Sequence, residues 1–201
     1  MGIRLEVKDR AQKIVEAISD VLSDVNGGEV ERLASTILRT LGDRKIFVVG
    51  AGRTGLVAKA FVMRLMHLGF SVHVVGETIT PRMDPGDLLI AISGSGETLY
   101  PLTIARQAKK LGGILAVITS YPESTLGKMA DVRVVIKGRV LPAAQADYDS
   151  RQIMGLHEPL TPLGTLFEIS TLVFCDALIS ELASRLGKTE EDLARRHATL
   201  E

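Results

Sequence analysis

Short apolar runs alternate with helical patterns along this 201-residue chain, and this alternation restricts the fold more than any other feature of the sequence. Each run is four or five residues long and mostly apolar and β-branched, which is typical of strands buried on both faces. Because helical crossovers separate the runs, the strands should lie parallel, with helices covering both faces of the sheet. The predicted strands span residues 46–49, 72–75, 88–92, 114–118 and 132–136.

Apolar residues at helical spacing predict the remaining elements. The predicted helices span residues 14–25, 30–41, 56–68, 99–111 and 165–186, and a short terminal helix is expected to begin at Thr189. Residues 138–162 show little periodicity and contain three prolines, so they are predicted to form a long loop. The expected architecture is an α/β fold, a three-layer α-β-α sandwich with a five-stranded parallel sheet. We expect one domain over residues 1–201, with N-terminal helices (1–42) and C-terminal helices (163–201) packing on it.

The charge balance argues against a nucleic-acid partner, because 24 lysines and arginines are matched by 24 aspartates and glutamates. No apolar run approaches the roughly 20 residues that span a bilayer, and the first twenty residues carry charges throughout, so we expect a cytoplasmic protein without membrane contact. The hydrophobic fraction of 46% is high enough to suggest surface buried between subunits of a homo-oligomer. The lone Cys175 lies in an apolar run, which indicates a buried thiol rather than a reactive one.

The serine loop, residues 93–98, follows the third predicted strand and precedes a helical pattern. Its glycines allow a tight turn, and the first amides of the following helix have no partner inside that helix, so together they attract an anion. The loop has no lysine of the P-loop type, which indicates a site for one phosphate monoester. The alternative is an ordinary connection in which Ser95 caps the helix. The candidate phosphate-binding residues are Ser93, Gly94, Ser95, Gly96 and Thr98.

The glycine loop, residues 50–55, follows the first strand and fits the pattern G-x-G-x-x-G, and Glu77 ends the next strand. This arrangement alone would also fit a nicotinamide-dinucleotide site. Against that alternative, the chain has no second domain to hold a substrate for hydride transfer, and a dinucleotide leaves the serine loop unexplained. A phosphosugar explains both loops, with Gly52, Arg53 and Thr54 facing the anion and Glu77 holding sugar hydroxyls. Arg53 and Glu77 could equally be solvated charges at strand ends.

The serine loop resembles the phosphate loop of sugar-isomerase (SIS) domains, which bind phosphosugars on a flavodoxin-like, five-stranded parallel sheet. Further motifs, in order along nearly the whole chain, resemble the 6-phospho-3-hexuloisomerase family. They occupy residues 49–55, 58–61, 63–69, 75–78, 151–155, 164–168 and 195–197. Serine is commoner in the family where this chain has Thr54, so a hydroxyl is kept and a methyl group is added.

The resemblance implies interconversion of D-arabino-3-hexulose 6-phosphate and fructose 6-phosphate in the ribulose monophosphate route of formaldehyde fixation. It also implies a homotetramer and functional pairing with 3-hexulose-6-phosphate synthase. Moving a carbonyl between neighbouring carbons requires a base and an enediol intermediate but no metal or redox cofactor. The sequence shows no Cys/His cluster of the zinc type. A non-catalytic phosphosugar sensor is the alternative, although such regulators carry a DNA-binding domain for which this chain has no extra length.

Glu168 is the candidate base, because it lies early in the most apolar helix, where a carboxylate loses its hydration. Its alternative role is structural, since Thr165 and Glu168 have the spacing of a capping box. The resemblance favours the catalytic role, because the matching glutamate of the family is the presumed base. Glu97 stands so near the serine loop that its charge should point away from the anion and favour the helix dipole.

His67 is the candidate acid, placed at the end of its helix, where it could polarise a carbonyl or act as a C-terminal cap before Gly69. His157, in the long predicted loop, is the second choice. His73 alternates with valines in a strand and is expected to be structural. His197 lies in a charged terminal segment, where a solvated or interface role is expected.

Overall fold

The computed structural model describes residues 2–138 and 165–196, with side chains from residue 6 onward except that of residue 190. The strands are β1 (Lys45–Val49), β2 (Ser71–Val74), β3 (Leu88–Ile92), β4 (Ile114–Thr119) and β5 (Val132–Val135). The helices are α1 (Gly2–Ser23), α2 (Gly27–Leu38), α3 (Arg53–Leu68), α4 (Leu99–Lys110), α5 (Thr125–Met129), α6 (Leu166–Arg185) and α7 (Glu190–Ala194).

The five strands form one parallel sheet in the order β2-β1-β3-β4-β5, which confirms the predicted fold class. From β1 the chain first crosses to β2 on one side, and then returns to place β3 on the other side. The strand order therefore reverses between β1 and β3. In open parallel sheets, ligands bind at such a reversal, outside the carboxyl ends of the strands.

Two apolar layers cover the sheet, because alternate residues of each strand face opposite sides. Ile46 and Val48 of β1 face a layer built with α2, α3 and α6. Phe47 and Val49 face a second layer built with α4 and α5. Helices thus lie on both faces, as the continuous apolar runs predicted. Cys175 of α6 is fully buried in the first layer, and burial raises the pKa of its thiol, which fits a structural residue.

The N-terminal helices differ from the prediction in their bounds. α1 begins at Gly2 instead of residue 14, and its first half was missed because the residues there are mostly exposed and give no apolar stripe. Gly27 and Gly28 lie between the predicted helices 14–25 and 30–41, but in the structure they begin α2. The Asn26 side chain accepts hydrogen bonds from the amides of Gly28 and Glu29 at 2.9 and 3.1 Å, so it caps α2.

The C-terminal helices pack over the first layer, with α6 in contact with α1, α2 and α3. α7 begins at the predicted place with a capping box: the Thr189 hydroxyl accepts from the Asp192 amide, and the Asp192 carboxylate accepts from the Thr189 amide. The predicted loop over residues 138–162 lies almost wholly outside the described residues. Within the two described ranges, no helix is long and apolar enough to cross a bilayer, and no group of three His, Cys, Asp or Glu residues could hold a metal ion.

Candidate functional site

The glycine loop and the serine loop begin side by side at the carboxyl edge of the sheet. The glycine loop follows β1 and the serine loop follows β3, and these strands are hydrogen-bonded neighbours with Val49 opposite Ala91. The loops therefore flank the point where the strand order reverses. Glu77 follows β2, which lies on the other side of β1. The topology brings the sequence-predicted anion loops and Glu77 to one edge.

The three hydroxyls of the serine loop form a buried cluster. The hydroxyls of Ser93 and Ser95 both lie 3.3 Å from that of Thr98. The Ser93 hydroxyl also accepts from the amide of Gly96, and the Ser95 hydroxyl accepts from the amide of Glu97, each at 3.2 Å. All three side chains are at most 7% exposed. The loop therefore holds its hydroxyl groups within a small volume above the end of β3.

The helix after the serine loop begins at Leu99, and Thr98 occupies its N-cap position without a side-chain cap hydrogen bond. The alternative in which Ser95 caps this helix is therefore wrong. The first amides of α4, those of Leu99 and Tyr100, lack an intrahelical partner by their position in the helix. Among the described residues no cap side chain satisfies them, and N–H groups left free at a helix start attract anions.

The serine loop is fixed to the segment that follows β4. The carbonyl of Gly94 accepts from the amide of Ser120, and the carbonyl of Gly96 accepts from the amide of Leu126, both at 3.1 Å. Gly96 has φ +66°, and a Cβ atom there would lie 1.9 Å from the Ser124 hydroxyl. Only glycine fits this position, because it combines a left-handed backbone with direct contact to a neighbouring segment.

Glu97 points away from the serine loop, towards α5. Its carboxylate accepts a 2.6 Å hydrogen bond from the amide of Thr125, the first residue of α5. We expected Glu97 to favour the dipole of the helix that follows the loop, but the structure places its charge at the N-terminus of α5 instead. Sequence spacing could not reveal this partner, because 28 residues separate the two groups.

The glycine loop provides a close approach between strand and helix. A Cβ atom on Gly50 would lie 2.8 Å from the carbonyl oxygen of Thr54, so the first turn of α3 packs directly on the end of β1. Gly52 has φ +57° and occupies the N-cap position of α3 without a side-chain cap. Thr54 is buried, whereas Arg53 is exposed and forms no ion pair with any described residue. Arg53 is therefore an exposed cation at the start of α3.

Glu77 is paired already, with its carboxylate 2.7 Å from the ammonium group of Lys59. Both side chains are about half exposed, which agrees with the alternative of a solvated charge.

Tyr100 is a feature of this edge that sequence reasoning missed. Its hydroxyl donates to the carbonyl of Val75 at 3.2 Å, so the side chain reaches from the start of α4 to the end of β2. No signal in the sequence indicates that contact.

The start of α6 lies at the same edge as the serine loop. Ser120, whose amide bonds to Gly94, accepts a 3.3 Å hydrogen bond from the amide of Gly138 through its hydroxyl. A Cβ atom on Gly138 would lie 2.7 Å from the Cα atom of Phe167. These contacts connect the serine loop, through two short steps, to the first turn of α6, which carries Glu168.

Glu168 is half-buried, and its Oε2 atom is fully buried with no hydrogen-bond partner among the described residues. Thr165 occupies the N-cap position of α6 but makes no side-chain cap hydrogen bond, so the capping-box alternative is not realised. A buried carboxyl oxygen without a partner among the described residues costs free energy unless a ligand, a water molecule or another part of the chain satisfies it. The role of Glu168 as base stays a prediction.

His67 lies at the far end of α3 from the glycine loop. It follows Arg53 by 14 residues, so the helical rise separates the two residues by about 21 Å. His67 is 5% exposed and lines a cavity of about 800 Å³ between α3 and α6, together with Arg64, Asp176 and Ser180. The structure therefore does not bring His67 to the two loops of its own chain.

The other histidines have simpler positions. The imidazole ring of His73 in β2 lies 5.5 Å from the ring of Phe47, and burial lowers the pKa of His73. This packing agrees with the structural role that was expected. His157 and His197 lie outside the described residues, as do residues 151–155 of the motif set.

Comparison with known proteins assigns the family. The SIS domain matches residues 41–152 of the chain. A Bacillus subtilis protein named 3-hexulose-6-phosphate isomerase is 40% identical, over 94% of this chain and 100% of that one. A Methylomonas aminofaciens protein of the same name is 36% identical, over 94% and 96% of the two chains. A Methanococcus jannaschii crystal structure, from which that same function was inferred, superposes with a TM-score of 0.71 at 31% identity, over 98% and 99% of the two chains. The chain belongs to the SIS domain family.

Proposed function

We propose that this protein isomerises D-arabino-3-hexulose 6-phosphate and D-fructose 6-phosphate through an enediol intermediate. The observation that carries the proposal is that the glycine loop, the serine loop and a buried carboxyl oxygen of Glu168, which has no hydrogen-bond partner among the described residues, lie at one sheet edge. The relatives named 3-hexulose-6-phosphate isomerase support it, because they are 36–40% identical over at least 84% of this chain.

The serine loop would bind the phosphate group of the substrate. Bare amides at the start of α4 and the buried hydroxyls of Ser93, Ser95 and Thr98 supply neutral donors. On the other side of the strand-order reversal lies the start of α3, with Gly52 and Thr54. Arg53, also at the start of α3, adds one cation. Neutral donors, two helix N-termini and a single cation suit one dianionic monoester.

Glu168 would act as the base on the carbon chain. Starting from the 3-hexulose, its carboxylate takes the proton from C2 while the carbonyl oxygen on C3 gains a proton, which gives the 2,3-enediol. The hydroxyl on C2 then loses its proton, which replaces the proton gained by the oxygen on C3, and C3 receives a proton from the carboxylic acid, which leaves a carbonyl at C2. One carboxylate near both carbons suffices, since each proton that it takes is returned.

His67 can serve this reaction only from another copy of the chain, because about 21 Å of helix separates it from the glycine loop of its own chain. Met63 and Met66, which neighbour His67 on α3, are 45% and 41% exposed. An apolar surface beside a buried histidine fits contact with a second subunit. We therefore propose that His67 acts as the ring-opening acid at the site of a neighbouring subunit in a homo-oligomer. The family resemblance implies that this oligomer is a tetramer.

The metabolic setting that we propose is the one implied by the resemblance to the 6-phospho-3-hexuloisomerase family. The enzyme would act in the ribulose monophosphate pathway in the cytoplasm, paired functionally with 3-hexulose-6-phosphate synthase. The 3-hexulose cannot close a five- or six-membered ring when its O6 is phosphorylated, so it arrives open. Only fructose 6-phosphate needs ring opening, and for that reason the acid would matter mainly in the reverse direction.

Hydrogen exchange with solvent tests the proposal. Fructose 6-phosphate incubated with the protein in D₂O should gain deuterium at C3, because the 2,3-enediol forms and collapses repeatedly. Deuterium at C1 instead would indicate a 1,2-enediol and an aldose-ketose isomerase, which would contradict the proposal. Glu168→Gln should still be stabilised thermally by fructose 6-phosphate but lose at least about 100-fold in exchange rate. Stabilisation of the wild type by the sugar without exchange would favour a phosphosugar sensor, and stabilisation by NAD alone would favour a dinucleotide site.

A further inference from the structure

The β2 turn, residues 75–80, joins the two helices whose first turns face the proposed phosphate site. On one side, the Tyr100 hydroxyl of α4 donates to the carbonyl of Val75 at 3.2 Å. On the other side, the Glu77 carboxylate lies 2.7 Å from the ammonium group of Lys59 of α3. The helices α3 and α4 pack on opposite faces of the sheet, so the β2 turn links them across the end of β1.

The β2 turn is held in one shape by its own hydrogen bonds. The Thr80 hydroxyl lies 2.9 Å from the carbonyl oxygen of Val74 and 2.7 Å from that of Glu77. The amide of Val75 donates to the carbonyl of Val48 in β1 at 3.0 Å, which fixes the turn to the sheet. A turn that is fixed in this way can act as a rigid spacer between the two helices.

Gly76 shows how closely the Tyr100 hydroxyl fits the β2 turn. Its φ is +96°, and a Cβ atom there would lie 2.8 Å from the Tyr100 hydroxyl oxygen. Apart from the Tyr100 side chain and the two residues next to Gly76 in sequence, no described residue has an atom within 4 Å of that Cβ position. Glycine at this position therefore leaves room for the phenol hydroxyl.

We propose that Tyr100 is a positioning residue of the phosphate site, whose hydrogen bond to Val75 holds the start of α4 at a fixed distance from the start of α3. The inference rests on the proposed function, in which both helix starts donate to one phosphate group. Tyr100 is the second residue of α4, and Glu97 anchors the serine loop on the opposite side, at α5. Donors that are aligned beforehand bind an anion more tightly, because binding then requires no further ordering of the chain.

Tyr100→Phe tests the inference, because it removes the hydroxyl and keeps the ring. Calorimetry measures the Kd of fructose 6-phosphate and of inorganic phosphate, and a turnover assay measures kcat. We expect both Kd values to rise by the same factor, about 3- to 10-fold, which is the range for the loss of one neutral hydrogen bond. The kcat should change less than about twofold, since the substitution leaves Glu168 unaltered.

Gly76→Ala is the matched variant on the other side of the contact. Its methyl group would displace the Tyr100 hydroxyl from Val75, so both Kd values should rise as in Tyr100→Phe. In the double variant the shorter ring leaves space for the methyl group, and the Kd values should stay within about twofold of those of Tyr100→Phe alone. Gly187→Ala controls for backbone strain, with φ +62° and open space at the new Cβ, and it should bind both ligands like the wild type.

Wild-type Kd values in Tyr100→Phe would overturn the inference, even with a lower melting temperature, because the hydrogen bond would then serve the fold alone. A higher Kd for fructose 6-phosphate with an unchanged Kd for inorganic phosphate would also overturn it, since it would indicate a contact with the sugar. Additive increases in the double variant would do the same. These outcomes leave the proposed function intact, because the wild type still exchanges hydrogen at C3. A wild type that binds neither ligand would overturn the proposed function and this inference together.

Discussion

The Glu97 carboxylate accepts a 2.6 Å hydrogen bond from the backbone amide of Thr125 and so ties the serine loop to the start of α5. The bond keeps a negative charge within the loop sequence but directs it to another helix N-terminus, where the dipole favours it. A dianionic ligand bound at the loop would therefore meet amides and hydroxyls, with the Glu97 carboxylate turned away from it. The same bond helps to fix the loop before the ligand arrives.

Replacing Glu97 with alanine should loosen the serine loop and weaken ligand binding. We expect a loss of about 1.5–3 kcal/mol in unfolding free energy, as for one hydrogen bond with a charged partner, and a severalfold higher Kd for fructose 6-phosphate. Glu97→Gln keeps an acceptor oxygen and should retain most of the affinity. Thermal unfolding with and without the sugar measures both effects, and equal affinities in all three proteins would refute the anchoring role.

Gly96→Ala should abolish phosphosugar binding, because the new methyl group would collide with the Ser124 hydroxyl and the backbone has φ +66°. Gly187 is a matched control, since its φ is +62° and no atom lies within 4 Å of a Cβ placed there. Gly187→Ala should cost about 1–2 kcal/mol of stability from backbone strain alone. The affinity of Gly187→Ala for fructose 6-phosphate, measured by calorimetry, should equal that of the wild type. Tight binding by Gly96→Ala would contradict the proposal that the serine loop binds the phosphate group.

His67 and Glu168 should complement each other between subunits. His67→Ala alone should slow turnover of fructose 6-phosphate more than turnover of the open-chain 3-hexulose, because only the former requires ring opening. When His67→Ala and Glu168→Gln chains are denatured and refolded together in equal amounts, about a quarter of the sites would combine two intact residues. Turnover of fructose 6-phosphate should rise accordingly above that of either variant alone. No gain over the separate variants would contradict a role for His67 from a second copy.

The ion pair between Glu31 and Arg185 should contribute to stability in a pH-dependent way. The Arg185 guanidinium donates to both carboxylate oxygens of Glu31, at 2.8 and 2.7 Å, and joins α2 to the end of α6. This bonding, assisted by the Ser35 hydroxyl, lowers the pKa of Glu31 from 4.5 to about 2. Because the folded-state pKa is depressed, the contribution is complete above pH 4.5 and disappears as the pH falls through about 2.

Glu31→Gln should therefore lower the melting temperature at pH 7 and reduce its fall between pH 4.5 and 2. The pair is exposed, so added salt should shrink the difference from the wild type. Glu123→Gln is a suitable control, because that carboxylate is 82% exposed and lies 3.8 Å from its lysine partner. Parallel pH profiles for the wild type and Glu31→Gln would show that the pair does not stabilise the fold.

The sequence was sufficient to predict the sheet, because buried strands with helical crossovers leave few arrangements open. All five strands fall within one residue of their predicted bounds, and β3 matches its prediction at both ends. Local patterns were less informative where polar contacts decide the structure. The glycines at 27 and 28 begin a helix through the Asn26 cap, and α5, capped by Ser124, is too short to show a periodic pattern.

The candidate site was predictable only in part, for the same physical reason. The two loops follow adjacent strands, so topology alone brings them together. The partners of Glu97 and Tyr100 are 28 and 25 residues away in sequence, and no local pattern encodes such contacts. The position of His67 follows from the length of α3, which places it near the edge of the sheet opposite the two loops. The motifs shared with the family give no distance between His67 and the loops.

A crystal structure of the protein with fructose 6-phosphate tests the central claim most directly. We expect the phosphate group to accept hydrogen bonds from the amides and hydroxyls of the serine loop, with the sugar carbons C2 and C3 extending towards Glu168. A phosphate group bound elsewhere, or a sugar chain directed away from the start of α6, would contradict the proposed site.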